Sequence, residues 1–398
     1  MVQGMKLADR PPAAAAVFRT LLAHGPLSRA EIGRRTGLSA GAVTKVTAPL
    51  LSDGWITEQG RPAGERTNGR PATLIAVRPE RACFVGVKVT ADEAIAVLTD
   101  LTARPLTTAR AELGSRDVGS VVLAIARLVE QVRAQACATD PQEGAEGGAR
   151  PVEVHGIGVT ISGDVDTRTG IVQYSPFLNW RRVPLAELVE SATGAPTVID
   201  NDVRALAVAE QWFGAGAGLS SFVLVTVGAG IGCGISIDGR VVSGAHGVSG
   251  ELGHLPVTGT DRVCTCGNTG CVEAVASTHA ITEQARSATG DPALTMDEAI
   301  RLAHAGNPAV RAVFADAGHA IGLAIASVAN LLGPGRIIIS GEGVATYDLF
   351  EEQIRSTFAA HAFGAAGDCD LVVRPLPFEA WARGGAALAA QLLLSPAR

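Results

Sequence analysis

Long apolar runs, charged side chains and lysine are all scarce in this 398-residue chain. No stretch of roughly 18 or more consecutive apolar residues occurs, so nothing reads as a bilayer-crossing helix. The start, MVQGMKLADRPPAAAAV, lacks a basic, apolar, cleavable leader, and the expectation is a cytoplasmic protein with no membrane partner. Charged residues make up 18% and hydrophobic ones 47%, which excludes a disordered chain and suffices for a sizeable core in two or three domains. Seven cysteines are too few and too clustered for a disulfide framework. Cys83, Cys137, Cys233 and Cys369 are scattered, as core or incidental thiols are. The three lysines among many arginines reflect composition and carry no functional reading.

What charge there is lies unevenly. Residues 1–80 hold eleven Lys/Arg against six Asp/Glu, a surplus of five, while the remainder holds 22 against 33 and carries −11. A small basic head on a large acidic body suggests a polyanion-binding module attached to something else. In the head, Val17, Leu21 and Leu22 suit a helix over Pro12–His24, which Gly25-Pro26 stops. Ser28 with Glu31 forms a capping-box pattern for a second helix ending at Thr36-Gly37. Ser39 caps a third helix, with Val43, Val46, Leu50 and Leu51 at helical spacing. Strands from Gly54-Trp55-Ile56 and over Thr73–Val77 flank a Gly/Arg-rich tip, giving a winged helix-turn-helix. Ser39, Ala40, Gly41, Thr44 and Lys45 fall on the face that enters a major groove, and Arg61, Arg66 and Arg70 in the wing can reach phosphates or the minor groove. The competing reading is a three-helix module for protein contacts. The expected partner is double-stranded operator DNA.

The body reads as α/β. Two strands flank a turn at Ala91-Asp92-Glu93, and a third is expected within Thr102–Leu113. An amphipathic helix over Val118–Ala136, a surface loop over Thr139–Arg150 and a buried strand over Val154–Ile161 complete a βββαβ order. SGDVDTRTG reads as the loop after that strand. The next strand, Ala195–Ile199, runs into Asn201-Asp202 and a helix, the place where open α/β sheets bind ligands. Asp202 suits either a ligand hydroxyl or the helix N-cap. Val227–Ile235, VGAGIGCGI, is a glycine-rich turn whose backbone N–H groups can face phosphate, although a hairpin needs glycine too. A mainly helical stretch over Val275–Leu332, a strand over Gly335–Gly341 and a last helix over Trp381–Leu394 complete the chain.

The densest chemistry lies in His246–Ser277. There, His254-x9-Cys264-x-Cys266-x4-Cys271 offers four ligands for tetrahedral Zn²⁺, with Gly267 and Gly270 supplying tight turns. Disulfide partners or ordinary buried thiols are the alternative, disfavoured by the adjacent His. A structural zinc would also fix Glu251, three residues before His254, and Glu273, two residues after Cys271.

Together, GVSGELGH, CTCGNTGCVE, the Asn201-Asp202 pair and the winged helix resemble the ROK family of repressors and sugar kinases, in its transcriptional-regulator branch. The resemblance covers essentially the whole chain. It implies a winged helix-turn-helix at 1–79 followed by a two-lobed actin/hexokinase-like (ribonuclease H-like) sugar-kinase fold at 80–398. The lobes would span roughly 80–200 with the C-terminal helix 380–398, and 201–379. It also implies His254, Cys264, Cys266 and Cys271 as zinc ligands, and Gly163, Asn201, Asp202, Glu251, His254 and Glu273 as sugar contacts. In the family's kinases Asp202 matches the general base, which keeps an ATP-dependent sugar kinase as the alternative. Against it, the family's Asp-x-Gly-Gly-Thr-Lys phosphate loop here reads Lys88-Val89-Thr90-Ala91-Asp92-Glu93. Phosphoryl transfer rests on positioning and charge neutralisation, and this stretch supplies neither. The expectation is a sugar-responsive DNA-binding regulator, a homodimer or dimer of dimers, that represses carbohydrate uptake or catabolism genes and is not an enzyme.

Overall fold

The structure is a computed structural model that describes residues 7, 10–60, 73–139, 152–256 and 259–394. The wing tip with Arg61, Arg66 and Arg70, and the loop expected beyond Thr139, lie outside these residues. The chain forms two compact units: Met1–Gly218 with Glu379–Arg398, and Leu219–Phe378.

The first unit opens with α1 (Pro12–His24), β1 (Leu27–Ser28), α2 (Arg29–Thr36) and α3 (Ala40–Ser52). A wing of β2 (Ile56–Gln59) and β3 (Leu74–Val77) comes next. Ser28 accepts from the Glu31 amide at 3.2 Å and Ser39 from the Ala42 amide at 3.3 Å, so both serines cap as their spacing predicts. The reciprocal half of the capping box is absent from the described contacts, because the Glu31 carboxylate is drawn to Arg34 and Arg35 one turn on. Phe18 meets the edge of Trp55, ring centroids 6.0 Å apart, inside a core of Val17, Leu21, Ile32, Val43, Leu50 and Ile75. That core continues without a break into Phe84, Leu101, Val198, Trp212 and Leu388 of the α/β layer. The winged helix and the α/β layer of the first unit therefore share one apolar interior.

The α/β layer contains β4 (Cys83–Val89), β5 (Glu93–Thr99) and β6 (Pro105–Glu112), an antiparallel meander. After α4 (Val118–Thr139), β7 (Val154–Ile161) pairs parallel with β4. The short strands β8 (Asp164–Asp166), β9 (Ile171–Ser175) and β10 (Trp180–Val183) form a separate antiparallel sheet where a loop was expected over SGDVDTRTG. Its first turn is stabilised by the Asp166 carboxylate accepting from the amides of Arg168 (3.0 Å) and Thr169 (3.3 Å), so a polar, turn-like sequence conceals a strand. Then come α5 (Leu185–Thr193), β11 (Thr197–Asn201), parallel to β7, and α6 (Asp202–Phe213).

Sheet alternation assigns the faces. Val85 and Val87 pack in one core with Val121, Ile125 and Leu128 of α4. Phe84, Gly86 and Lys88 face the other way, onto the C-terminal helix Glu379–Ala390. That helix crosses so close that a Cβ on Gly86 would overlap the Ala382 carbonyl oxygen, and one on Gly158 the carbonyl oxygen of Gly385. Gly158→Val is accordingly expected to destabilise the unit by about 1–3 kcal/mol or more, seen as a lower denaturation midpoint; an unchanged midpoint would mean that the helix can move away.

In the second unit, β12 (Ser221–Val227), β13 (Ile231–Ile237) and β14 (Arg240–Val241) form an antiparallel run. The helices α7 (Glu273–Ala276), α8 (Thr278–Thr289), α9 (Met296–His304) and α10 (Pro308–Leu332) lead to β15 (Arg336–Ser340), which is parallel to β12. The unit ends with α11 (Glu351–His361) and β16 (Asp370–Val373), and the chain with α12 (Glu379–Ala390) of the first unit. By length and composition α10 could cross a membrane. Here Phe314, Ala317, Ile321 and Ile325 make it the buried centre of the second unit's core.

Candidate functional site

On the first unit, parallel β11 delivers Asn201 and Asp202 to the carboxyl edge of the sheet. Asn201 is the N-cap of α6: its Oδ1 accepts from the amides of Val203 (2.9 Å) and Arg204 (3.3 Å), and its Nδ2 donates to the Gly163 carbonyl at 3.1 Å. Gly163 adopts φ +127°, where a Cβ would also overlap the Tyr174 carbonyl oxygen, so only glycine fits beside the pair. With the cap supplied by Asn201, Asp202 is left for another role. Its Oδ2 is ion-paired with the Lys88 ammonium and accepts from Ser162 Oγ at 2.6 Å. Lys88 Nζ also donates to Ser162 Oγ at 3.2 Å and lies 5.5 Å from the Trp381 ring centroid. Lysine and aspartate are both buried. Burial alone would raise the Asp202 pKa, but the Lys88 charge, with hydrogen bonds from Lys88, Ser162 and the Val203 amide, holds it below the usual carboxylate value.

The partnering of Lys88 and Ser162 with Asp202 escapes sequence reading. The available signal is a lysine inside a strand whose neighbours are apolar, since a buried ammonium requires an opposite charge.

On the second unit, Nδ1 of His254 lies 3.5 Å from Cys264 Sγ, and Cys266 Sγ lies 3.8 Å from Cys271 Sγ. All four ligand atoms lie within 4.8 Å of one another. Zinc–sulfur bonds of about 2.3 Å and zinc–nitrogen bonds of about 2.0–2.1 Å at tetrahedral angles require separations of about 3.8 Å (S–S) and 3.5 Å (S–N). The two separations match, so the donor set fits a tetrahedral cation. The loop is closed by bridges pairing Pro256 with Cys271 and Val263 with Thr269. Gly267 (φ +90°) and Gly270 (φ +73°) take the left-handed turns expected of them. With Nδ1 toward the cluster, Nε2 of His254 points away, 3.9 Å from Oε2 of the exposed Glu251. Glu273 is held by the cluster loop itself: Thr265 Oγ1 donates to its Oε1 at 3.4 Å, while its Oε2 accepts from the Ile231 amide at 3.1 Å.

In the head, α3 buries Val43, Thr47 and Leu50 and exposes Ser39, Ala40, Gly41, Thr44 and Lys45 along one face.

Residues 145–392 match the model of the ROK family, and residues 16–57 match a winged helix-turn-helix DNA-binding model. A putative xylose repressor from Caldicellulosiruptor sp. (strain Rt8B.4) is 30% identical over 361 residues, covering 87% of each chain. The crystal structure of a ROK family transcriptional regulator, a homolog of the E. coli MLC protein, is similar with a TM-score of 0.78 and 28% identity over 96% of both chains. A ROK family glucokinase from Streptomyces griseus, solved with glucose and AMPPNP, covers 78% of this chain and 100% of its own at 26% identity and a TM-score of 0.65. Repressors and sugar kinases thus both stand among its relatives, and the family model spans more than half of the sequence. The chain belongs to the ROK family.

Proposed function

We propose that the protein is a sugar-responsive DNA-binding repressor of carbohydrate uptake or catabolism genes, acting in the cytoplasm as a homodimer or dimer of dimers, without kinase chemistry. The observation that carries this reading is a winged helix with an open recognition face, joined through one apolar core to a kinase-like layer whose would-be base is neutralised by Lys88. Residues 1–79 serve DNA binding and 80–398 sensing. Ser39, Gly41, Thr44 and Lys45 on α3, with Arg66 and Arg70 of the wing, contact operator DNA. The residues assigned to sugar contact are Gly163, Asn201, Asp202, Glu251, His254 and Glu273, whose carboxylate, amide and imidazole groups suit vicinal hydroxyls. His254, Cys264, Cys266 and Cys271 hold a structural zinc, which would cross-link the loop and orient the His254 ring.

The alternative, a sugar kinase, meets two obstacles in this chain. A general base must be free to accept the substrate's proton, whereas the Asp202 carboxylate is engaged by an ammonium and a hydroxyl. At the turn where phosphate would be held, Thr90 Oγ1 accepts from the amides of Asp92 (3.3 Å) and Glu93 (3.1 Å), so the turn satisfies its own N–H groups.

Binding to DNA from the protein's own promoter region is expected to weaken with salt, the log–log slope gaining about −0.9 for each phosphate neutralised, and to be altered by one member of a sugar panel. Absence of salt-dependent DNA binding would defeat the regulator reading. Hexose-dependent ATP turnover at ordinary enzyme rates, about 1–1000 s⁻¹, would defeat the non-catalytic one.

A further inference from the structure

The glycine-rich loop joining β12 to β13 is built from small residues and successive backbone amides, the chemistry that cradles phosphate. In this chain two of those amides already serve anions of the protein. Glu342, just after β15, lays its carboxylate over the loop, and its Oε1 accepts from the Ala229 amide at 2.8 Å. From another position Glu273 Oε2 accepts from the Ile231 amide at 3.1 Å, while the Gly228 amide turns inward to the Gly230 carbonyl at 3.1 Å. The glycines make room for these carboxylates rather than for a ligand. A Cβ on Gly228 would overlap the Glu342 carboxyl group, and one on Gly230 would come within 2.9 Å of Glu273 Oε2. Glu342 is seated by its own neighbours. Gly341, at φ +99°, and Gly343 lie so tightly on Val227 that a Cβ on either would come within 2.5 or 3.0 Å of the Val227 carbonyl oxygen.

We infer that Glu342 is a built-in anion that occupies the glycine loop in place of a phosphoryl group and excludes nucleoside triphosphates and polyphosphates from the second unit. An incoming phosphate would have to displace a hydrogen-bonded carboxylate and then sit beside Glu273, a second negative charge. The consequence is insulation: the cell's ATP neither occupies this loop nor competes for the regulator's conformations. Such exclusion concerns phosphate recognition on one unit and requires neither the sugar nor the DNA of the regulator reading.

The test is calorimetric titration of the full chain with inorganic triphosphate and, separately, with MgATP, using wild type, Glu342→Gly and Glu342→Gln. Wild type is expected to show no saturation at millimolar ligand. Both variants are expected to gain at least about tenfold in affinity for triphosphate, equivalent to about 1.4 kcal/mol. Glu342→Gln keeps the side chain's length while removing its charge, so it decides the matter should the glycine variant fold poorly by circular dichroism. Wild type binding triphosphate as tightly as the variants would overturn the inference, as would a folded glutamine variant that does not bind. Loss of promoter binding in the same preparations would count against the regulator reading alone.

Discussion

Replacing Cys266 with serine is expected to remove zinc and abolish the sugar response, while operator binding survives. Cys266 is the exposed member of the four, so the substitution leaves no cavity and tests the metal rather than packing. Its Sγ lies 3.8 Å from Cys271 Sγ, the spacing of two thiolates on one tetrahedral cation. Structural zinc contributes apparent binding free energies of about 10–16 kcal/mol in zinc-finger peptides. That is an upper bound here, because the second unit has a large apolar core of its own around α10, to which the loop contributes only a few residues such as Leu252 and Val272. The effect should concentrate on what the loop positions. Without a metal, His254 and Cys264, whose Nδ1 and Sγ lie 3.5 Å apart, are no longer clamped together, and Thr265, which donates to Glu273, sits between two residues that have lost their common anchor. The winged helix draws its core from the first unit, so the experiment uses the full chain. Metal content by atomic spectroscopy, promoter binding by anisotropy and sugar-induced release are measured together. A zinc-free variant that responds normally to its sugar would show that the loop organises nothing.

Lys88→Met should be strongly damaging to the first unit. It deletes the only cation paired with Asp202 among the described contacts and leaves a buried carboxylate, for which losses of about 3–5 kcal/mol are typical. Adding Asp202→Asn should recover a large part of that loss, since the second change removes the uncompensated charge, and the double-mutant cycle measures the coupling. The pH dependence has a definite sign. The folded-state pKa of Asp202 lies below its unfolded value, so the pair's contribution is complete above the unfolded pKa of about 4 and is lost as pH falls through the folded value. The stability difference between wild type and Asp202→Asn should therefore be largest near neutrality and shrink in acid. Equal stability of Lys88→Met and wild type at pH 7 would refute the pairing.

Helix α6 gives this pair a route to the DNA-binding head within one unit. Its first turn carries Asn201 and Asp202, and its last turn places Trp212 in the core shared with Val17 and Phe18 of α1. Twelve residues make a rod about 18 Å long. A ligand that altered the hydrogen bonds of Asp202 would thereby act on an element already packed against the winged helix.

Much of this was legible in the residues. Helix α1 ends at the expected Gly25, and Ser28 and Ser39 cap their helices because capping is a contact between residues three apart. The convergence of Cys264, Cys266 and Cys271 was legible because they are near neighbours in sequence, and Gly267 and Gly270 turn the chain between them. By contrast, β8 to β10 were obscured because their strands are short and their polar residues signal turns.

Local spacing, capping and alternation determined by themselves the winged helix, the α/β order and the His/Cys group that could hold a metal, since each is a relation among residues within a few turns. The meeting of charges was decided only by the tertiary structure. Lys88 and Asp202 are separated by 114 positions, and Ala229 and Glu342 by 113. Alternation along β4 shows which face Lys88 occupies, but only the parallel pairing of β4, β7 and β11 brings Asp202 to that face. Whether a charge is buried, and which partner it then requires, depends on that packing and not on its neighbours in the chain.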